Sequence, residues 1–344
     1  MGIQSINPLF KEISPEAFMK GPITLLSGRA VAIDAHIMIY KYLSTANNSI
    51  IGSMVNPLDI IDYTKIRKLA IEKALDFNRL LFEYRITPVW IFDGPPVSAK
   101  TKCLIERKDI KKKKIAKIEE KRAELEEKNV LKITKEDYDD FRKVLKNNTK
   151  VTMDDVREFH RVFSSIGIPT FTADGDAEKL CSALNREGTV VGVWGTDTDN
   201  YALGTPILIT EISGQVDFVH QIQLVRLETI LSKLQVPLSF ITDLCIMCGC
   251  DFNDNIPGIG PKRSLDLLRT YGSIDNLPSV YKNKPLDISI LDHYICRDAF
   301  SYTPSGIFPD QIVIDWDTYL MGIVDVVEQY VPNNKSKFTS FTGW

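Results

Sequence analysis

Seven acidic residues stand where their carboxylates could share cations. Asp34 closes the apolar run Val31-Ala32-Ile33, and Asp93 closes Val89-Trp90-Ile91-Phe92. Asp197 and Asp199 follow Val190–Trp194 after a short step. In an open α/β sheet, ligands sit outside the carboxyl ends of the strands. Asp176 and Glu178 lie at the start of the helical pattern near Ala177; residues two apart do not share a face inside a helix, but they can converge where the cap residue has non-helical dihedrals. Asp251 sits in Gly249-Cys250-Asp251, just before a glycine-rich turn. Clustered carboxylates repel one another unless cations neutralise them. Oxygen-only ligation suits Mg²⁺, with Mn²⁺ as a substitute. Two such ions about 3.5–4 Å apart activate water and stabilise the leaving oxygen in phosphodiester hydrolysis. One such Asp alone is ordinarily a cap or turn residue; a whole set at strand ends is not.

Two further features carry charge chemistry. Gly258-Ile259-Gly260-Pro261-Lys262-Arg263 precedes a helical pattern. The glycines permit close backbone approach, Pro261 fits a first helical turn, and the helix amino terminus with Lys262 and Arg263 favours phosphate. The spacing is not that of a nucleotide P-loop. Residues 100–122 hold eleven Lys/Arg and four Asp/Glu, a net +7 that leaves −10 on the remaining 321 residues. Such a run is most often a solvated helix face; beside a carboxylate site it becomes a candidate phosphate contact. Cys245, Cys248 and Cys250, with His293 and Cys296 further on, offer one half of a zinc site without a paired second half. The apolar setting Leu244-Cys245-Ile246-Met247-Cys248 instead favours small buried side chains.

The elements that would position these groups alternate. Strand-like runs recur at Ala30–Ile33, Pro88–Phe92, Pro169–Phe171, Val190–Trp194 and Ile207–Ile212, with helical patterns at Lys65–Glu83, Met153–Ile166 and Ala177–Glu187. This order predicts an α/β fold, a mainly parallel central sheet with helices on both faces. Ser44–Pro57 reads as a mobile loop and Pro332–Trp344 as a loose tail.

The 344 residues suggest about two domains or one large α/β unit. With 42 basic and 45 acidic residues the net charge is −3 and the pI near 5.9, which a uniform charge distribution would make unfavourable for nucleic acid. No apolar stretch reaches 18 residues, so no transmembrane helix is expected. A secretory signal is not recognisable, and Ile6 breaks a myristoylation pattern after Met1-Gly2. Six cysteines without a small-domain spacing favour a reducing interior.

Together the motifs resemble the flap endonuclease family, within the structure-specific 5′ nucleases that include the xeroderma group G and exonuclease-one branches. The resemblance runs from Met1 to about Asn276 and rests on MGIQ, VAIDAHIMIY (31–40), VWIFDGPP (89–96), GIPTFTADGDAEKLC (167–181), GTDTDNYALG (195–204) and CGCDFNDNIPGIGPKR (248–263). It implies a PIN-like nuclease fold with a helical arch and a helix–two-turn–helix. It implies two-metal catalysis by Asp34, Asp93, Asp176, Glu178, Asp197, Asp199 and Asp251. Lys100 and Arg107 take the places of the arch residues that contact the scissile phosphate. Tyr40 takes that of a base-stacking tyrosine, and Gly258, Gly260, Lys262 and Arg263 fall in the duplex-gripping turn that carries K⁺. Asp176 departs from the family's glutamate, and the basic C-terminal extension is missing. The implied organisation is a nuclease region at 1–105, an arch at 106–152, a second nuclease region at 153–235, the helix–two-turn–helix region at 236–300 and a C-terminal segment at 301–344. The expected partner is DNA with 5′ flaps or junctions, bound by a monomer inside the cell, in the nucleus or another site of replication. Only a degenerate sliding-clamp peptide is present (Lys335, Phe338, Phe341). A 5′→3′ exonuclease and a non-catalytic junction binder are the alternatives.

Overall fold

The computed structural model describes residues 3, 5–95, 101–128 and 133–339, with backbone alone at 101–107, 284 and 339. Lys100 and Phe341 lie outside the described residues, as does the side chain of Arg107. Seven strands form one sheet: β1 (Phe18–Pro22), β2 (Ala30–Asp34), β3 (Thr87–Phe92), β4 (Thr170–Thr172), β5 (Val193–Trp194), β6 (Ile207–Val216) and β7 (Val219–Arg226). The helices used below are α1 (Ile6–Ile13), α2 (Ala35–Ser53), α3 (Tyr63–Glu83), α4 (Thr101–Glu127), α5 (Lys135–Lys146), α6 (Met153–Ser165), α7 (Ala177–Arg186), α8 (Asp199–Ala202), α9 (Leu238–Met247), α10 (Pro261–Tyr271), α11 (His293–Ala299), α12 (Trp316–Tyr330) and α13 (Ser336–Thr339). The chain divides into two compact units. The first comprises Met1–Ala35, Tyr84–Lys102 and Pro169–Val313, the second His36–Glu83, Cys103–Ile168 and Ile314–Trp344.

The first unit contains the sheet, ordered β1-β7-β6-β5-β2-β3-β4. The pairs β6–β5, β5–β2, β2–β3 and β3–β4 are parallel, and β6–β7 and β7–β1 are antiparallel. Ile33 lies level with Trp90 and Trp194, and Ile91 with Phe171, so the carboxyl ends of four adjacent strands are nearly level. β2 and β3 are buried almost throughout, as expected for parallel strands covered on both faces. Two strands were not anticipated. β7 alternates Gln221, Ile222, Gln223 and Leu224, the period-2 pattern of a strand with one wet face. β1 carries Gly21 and Pro22 and shows no such pattern, which suits its place at the sheet edge. The anticipated strand Val190–Trp194 shortens to Val193–Trp194, because the Val190 N–H turns back to the Leu184 carbonyl at 3.2 Å.

The helical end of this unit is pinned by ions. Arg297 donates to both carboxylate oxygens of buried Asp243, at 2.8 and 2.7 Å, and also pairs with Asp275 at 2.8 Å. The Ile274 N–H donates to the same Asp243 carboxylate at 3.1 Å. This ties α9, α11 and the segment after α10 together. Cys245, Cys248 and Cys296 are buried in the hydrophobic core, and the Cys250 thiol donates to Asn253 Oδ1 at 2.8 Å. Among the described residues no three His, Cys, Asp or Glu groups meet as a metal cluster.

The second unit is helical. Most of Ser44–Pro57 is not a loop: α2 continues to Ser53, and only residues 54–57 lie outside it. Buried Met38, Ile39, Tyr42, Leu43, Ala46, Asn47 and Ile51 repeat with the helical period, and the intervening Ser, Thr and Asn face outward. α12 packs on α3 and α6, with Phe82, Trp316 and Tyr319 in mutual edge contact at 5.3–5.5 Å between centroids. Ile51, Leu125, Phe141 and Leu145 form a smaller core among α2, α4 and α5. The expected loose tail is also overturned as far as it is described. Phe338 is 1% exposed, Lys337 pairs with Asp76 at 2.6 Å, and Asn334 donates to Glu72 at 2.9 Å. Polar residues flanking one buried aromatic concealed this anchor. Phe338→Ala should lower the unfolding free energy by about 3–5 kcal/mol, read as a shifted urea midpoint at constant slope.

Candidate active site

The acids predicted to converge all belong to the first unit. Asp34 is the last residue of β2, and Asp93 follows β3 directly. Asp176 is the cap residue of α7 after β4, and Glu178 lies in the first turn of α7. Asp197 follows β5 and Asp199 opens α8. Thus β5, β2, β3 and β4, adjacent and parallel, each deliver at least one carboxylate at the carboxyl edge. The strand order reverses there too: β3 and β4 lie on one side of β2, β5 and β6 on the other. This is the switch point at which such sheets bind ligands.

Local bonds explain how each acid is aimed. Asp93 Oδ1 accepts the Ala177 N–H at 2.8 Å, so the first turn of α7 is capped from a different strand. Asp176, at φ −72° and ψ 133°, makes no side-chain cap bond of its own. The ordinary cap role therefore falls to Asp93 and does not account for Asp176. Gly94 donates its N–H to the Gly175 carbonyl at 2.7 Å, and a Cβ built on it would lie 2.0 Å from the Ala173 carbonyl oxygen. Only glycine lets the β3 end and the loop before α7 approach so closely. Asp197 Oδ1 accepts the Asp199 N–H at 3.2 Å. Asn200 reaches back to the Asp197 carbonyl at 3.1 Å, and Thr198 donates to the Ile3 carbonyl at 3.3 Å. Tyr201 donates to Asn7 on α1 at 2.6 Å, which fixes α8 from the amino-terminal side.

Two of the carboxylates, Asp34 and Asp199, are only 4% and 2% exposed. Neighbouring thiols report the field. Burial pushes the Cys181 thiol well up, and the charges of Asp34, Glu178 and Asp93 push it the same way. Burial likewise raises the Cys245 thiol, reinforced by Cys248 and then Asp199. Acids from β2, β3 and α7 therefore act on one buried atom. An oxygen-only set of one sign is the donor chemistry that hard divalent cations take, yet among the described residues no three of these carboxylates meet as a metal cluster, so the structure brings them to one sheet edge without bringing them into a common ligand shell. Asp251 lies in the turn after α9, where Gly249 has φ +85° and the Cys250 N–H donates to Asn253 Oδ1 at 3.1 Å.

The glycine turn also lies in the first unit. Gly258 has φ +79°, Gly260 caps α10, and Pro261 takes its first turn. Lys262 pairs with Glu12 at 2.7 Å, and Arg263 donates to the Gly258 carbonyl. Both cations are exposed; Lys262 faces Glu12, 250 residues away in sequence, and Arg263 a carbonyl of its own turn. Tyr40 belongs to the second unit and is 48% exposed. There it lines a cavity of about 720 Å³ with Lys114 and Lys117 of α4 and Lys143 and Lys146 of α5. The α5 lysines were missed; their three-residue spacing on a helix was the available signal. Within α4 the side chains of residues 108–117 are all exposed, and the helix is continuous over 27 residues.

Comparison with known proteins agrees with this geometry. Residues 1–114 match the XPG N-terminal domain and residues 167–251 the XPG I-region. Flap endonuclease 1 of Encephalitozoon cuniculi is 31% identical over 294 residues, covering 84% of this chain and 77% of that protein. Flap endonuclease 1 of Cryptosporidium muris is 30% identical over 319 residues, covering 88% of this chain; the chain spans 62% of that relative's length. The catalytic core of Rad2 in complex with a DNA substrate superimposes with a TM-score of 0.64 over 96% of both chains at 20% identity, which establishes a shared α/β nuclease fold.

Gly94→Ala tests the aiming of Asp93. The added methyl meets backbone and not a movable side chain, so a loss of about 1–3 kcal/mol is expected in denaturant unfolding. Wild-type stability in this variant would show that the close approach is not required.

Proposed function

The chain belongs to the XPG/RAD2 family of flap endonucleases, and on that premise we propose that it is a divalent-metal-dependent 5′ flap endonuclease acting at single-strand/duplex junctions of DNA. The observation that carries this reading is the row of carboxylates on four neighbouring parallel strand ends. A junction binder without chemistry gains nothing from assembling like charges at buried positions. The substrate class follows from the family together with the exposed lysines of α4 and the helix-terminal glycine turn, which suit a phosphate backbone and not base edges.

Asp34, Asp93, Asp176, Glu178, Asp197, Asp199 and Asp251 are the proposed ligands of two divalent ions, Mg²⁺ with Mn²⁺ substituting. Bound there, the ions would supply Lewis acidity toward the phosphodiester and toward the attacking water. The chain's own residues do the rest. Asp93 holds α7, and with it Asp176 and Glu178, at the strand ends. Asp197 orients Asp199. Lys100 and Arg107 contribute positive charge to the phosphate in the transition state. Tyr40 stacks on an unpaired base, a contact worth about 1–3 kcal/mol. Gly258, Gly260, Lys262 and Arg263 hold duplex backbone at the amino terminus of α10, with K⁺ in the turn. The proposed enzyme works as a monomer on intracellular DNA, in the nucleus or another site of replication. A clamp partner is not included, since Phe338 of the clamp-like peptide is buried.

A 5′-labelled double-flap duplex in Mg²⁺ tests the proposal. Wild type should release the intact flap, and Asp197→Asn should be slower by at least about 10²–10³-fold. No cleavage by wild type, or undiminished cleavage by Asp197→Asn, sinks it; single nucleotides as the main product would favour the exonuclease. Binding in Ca²⁺ should weaken as salt rises, with a log–log slope of about −0.9 per duplex phosphate neutralised or about −0.7 on single strand. Replacing Lys111–Lys114 by alanine should flatten that slope.

A further inference from the structure

A groove beside β4 takes no part in the chemistry proposed above. It encloses about 490 Å³, within the usual size of a ligand pocket, and lies wholly in the first unit. Of the seven acids assigned to metal, only Asp176 lines it. Phe171, Leu180, Phe252 and Ile307 give it apolar walls. Each packs against the hydrophobic core yet stays only partly buried. The Phe252 ring is braced edge-on by Phe300, with centroids 5.6 Å apart. Residues 303–307 form the facing wall, as a strap tied from outside. The carboxylate of Glu187, directly after α7, accepts the Tyr302 hydroxyl and the Ser305 N–H, each at 2.8 Å, and also the Ser305 hydroxyl. The Arg186 guanidinium covers Tyr302, 4.4 Å from its ring centroid. Three donors on one carboxylate tether the strap where it stands, and the space beneath it is left unfilled.

Charge and backbone define the occupant. Asp174, Asp176 and Asp298 line the groove against a single cation, Lys179. Asp174, Asp298 and Lys179 have no ion-pair partner among the described residues. β4 is the terminal strand of the sheet. The Ala173 N–H donates to the Phe92 carbonyl of β3, so the alternating strand backbone turns the Thr172 N–H and C=O outward. Neither has a backbone partner among the described residues. An anion would meet net repulsion here. An apolar molecule would leave the acids unused, and a free amine would leave the strand edge unused. An extended peptide with a Lys or Arg two residues from an apolar side chain uses all three, because alternate side chains share one face of a strand. We propose that this groove docks such a basic segment of a partner protein. The segment adds along β4, with its apolar side chain against Phe171 and Phe252 and its cation facing Asp174 and Asp298. The inference does not rest on the nuclease reading, since it concerns a different surface and needs no metal.

The experiment uses the full chain at physiological salt. It follows the fluorescence anisotropy of an amino-terminally labelled peptide, Thr-Phe-Thr-Lys-Thr-amide. Controls replace its Lys by norleucine or Glu, or N-methylate alternate backbone amides. Wild type should bind the Lys form about fivefold to tenfold more tightly than the norleucine form, and the Glu form more weakly still. N-methylation in the register that faces β4 should weaken binding about fivefold. Asp298 is exposed in the last turn of α11, where a lysine suits the helix dipole, so Asp298→Lys should keep the fold, as checked by circular dichroism. That variant should lose the preference for Lys over norleucine, and Asp174→Asn should reduce it. Asp197→Asn removes a carboxylate outside the groove and should bind the peptide as wild type does. Equal binding of the Lys, norleucine and Glu forms overturns the proposal. So does full affinity of both N-methylated registers, which would leave the strand edge without a role. An equal loss in Asp197→Asn also overturns it, because acidity at large and not this groove would then hold the peptide. Every readout is binding without cleavage, so failure of the nuclease reading and failure of this site are separately visible.

Discussion

Like-charge repulsion is the constraint around which the first unit is organised. The carboxylates at the ends of β2, β3 and β5 and at the start of α7 lie along one edge of the sheet, where like charges oppose one another, and two of them are almost wholly buried. A flexible loop would relax by spreading. A level row of parallel strands cannot, because its backbone is fixed by the ladder on both sides. The rigid sheet thus stores a demand for positive charge at one edge, and the chemistry proposed for the protein meets that demand.

The supporting bonds are few and mostly non-local. The Asp93–Ala177 bond joins residues 84 apart in sequence, and Thr198 reaches the Ile3 carbonyl across 195. Such contacts tie the acid-bearing elements to one another and to the amino-terminal segment, but no window of sequence displays them. Hydrophobic runs ending in Asp did display the strands and their chemical ends. So the strand ends that carry the acids were legible, and the bonds that support them were not.

The same distinction explains the misread segments. Ser44–Pro57 has the composition of a loop, yet the positions that matter recur every three to four residues among polar ones, and that period governs. β7 follows the same logic with a period of two. Lys143 and Lys146 were overlooked because the conspicuous charge lay on α4, although the Tyr40 cavity takes lysines equally from both helices. The tail was read from its average polarity, while a single buried ring determines where it lies.

The pairing of Lys262 with Glu12 has a consequence for discrimination among polyanions. In the free protein this lysine already faces a carboxylate of its own chain, so an incoming phosphate competes with an internal stand-in. An exposed pair of this kind is worth only about 0–1 kcal/mol. That is too little to exclude a duplex gripped at several points, yet it takes a share of the weak attraction that an isolated phosphate could offer. With Lys262 in its proposed role on DNA, the internal carboxylate would act as an affinity threshold, favouring long, multiply charged backbones over scattered anions.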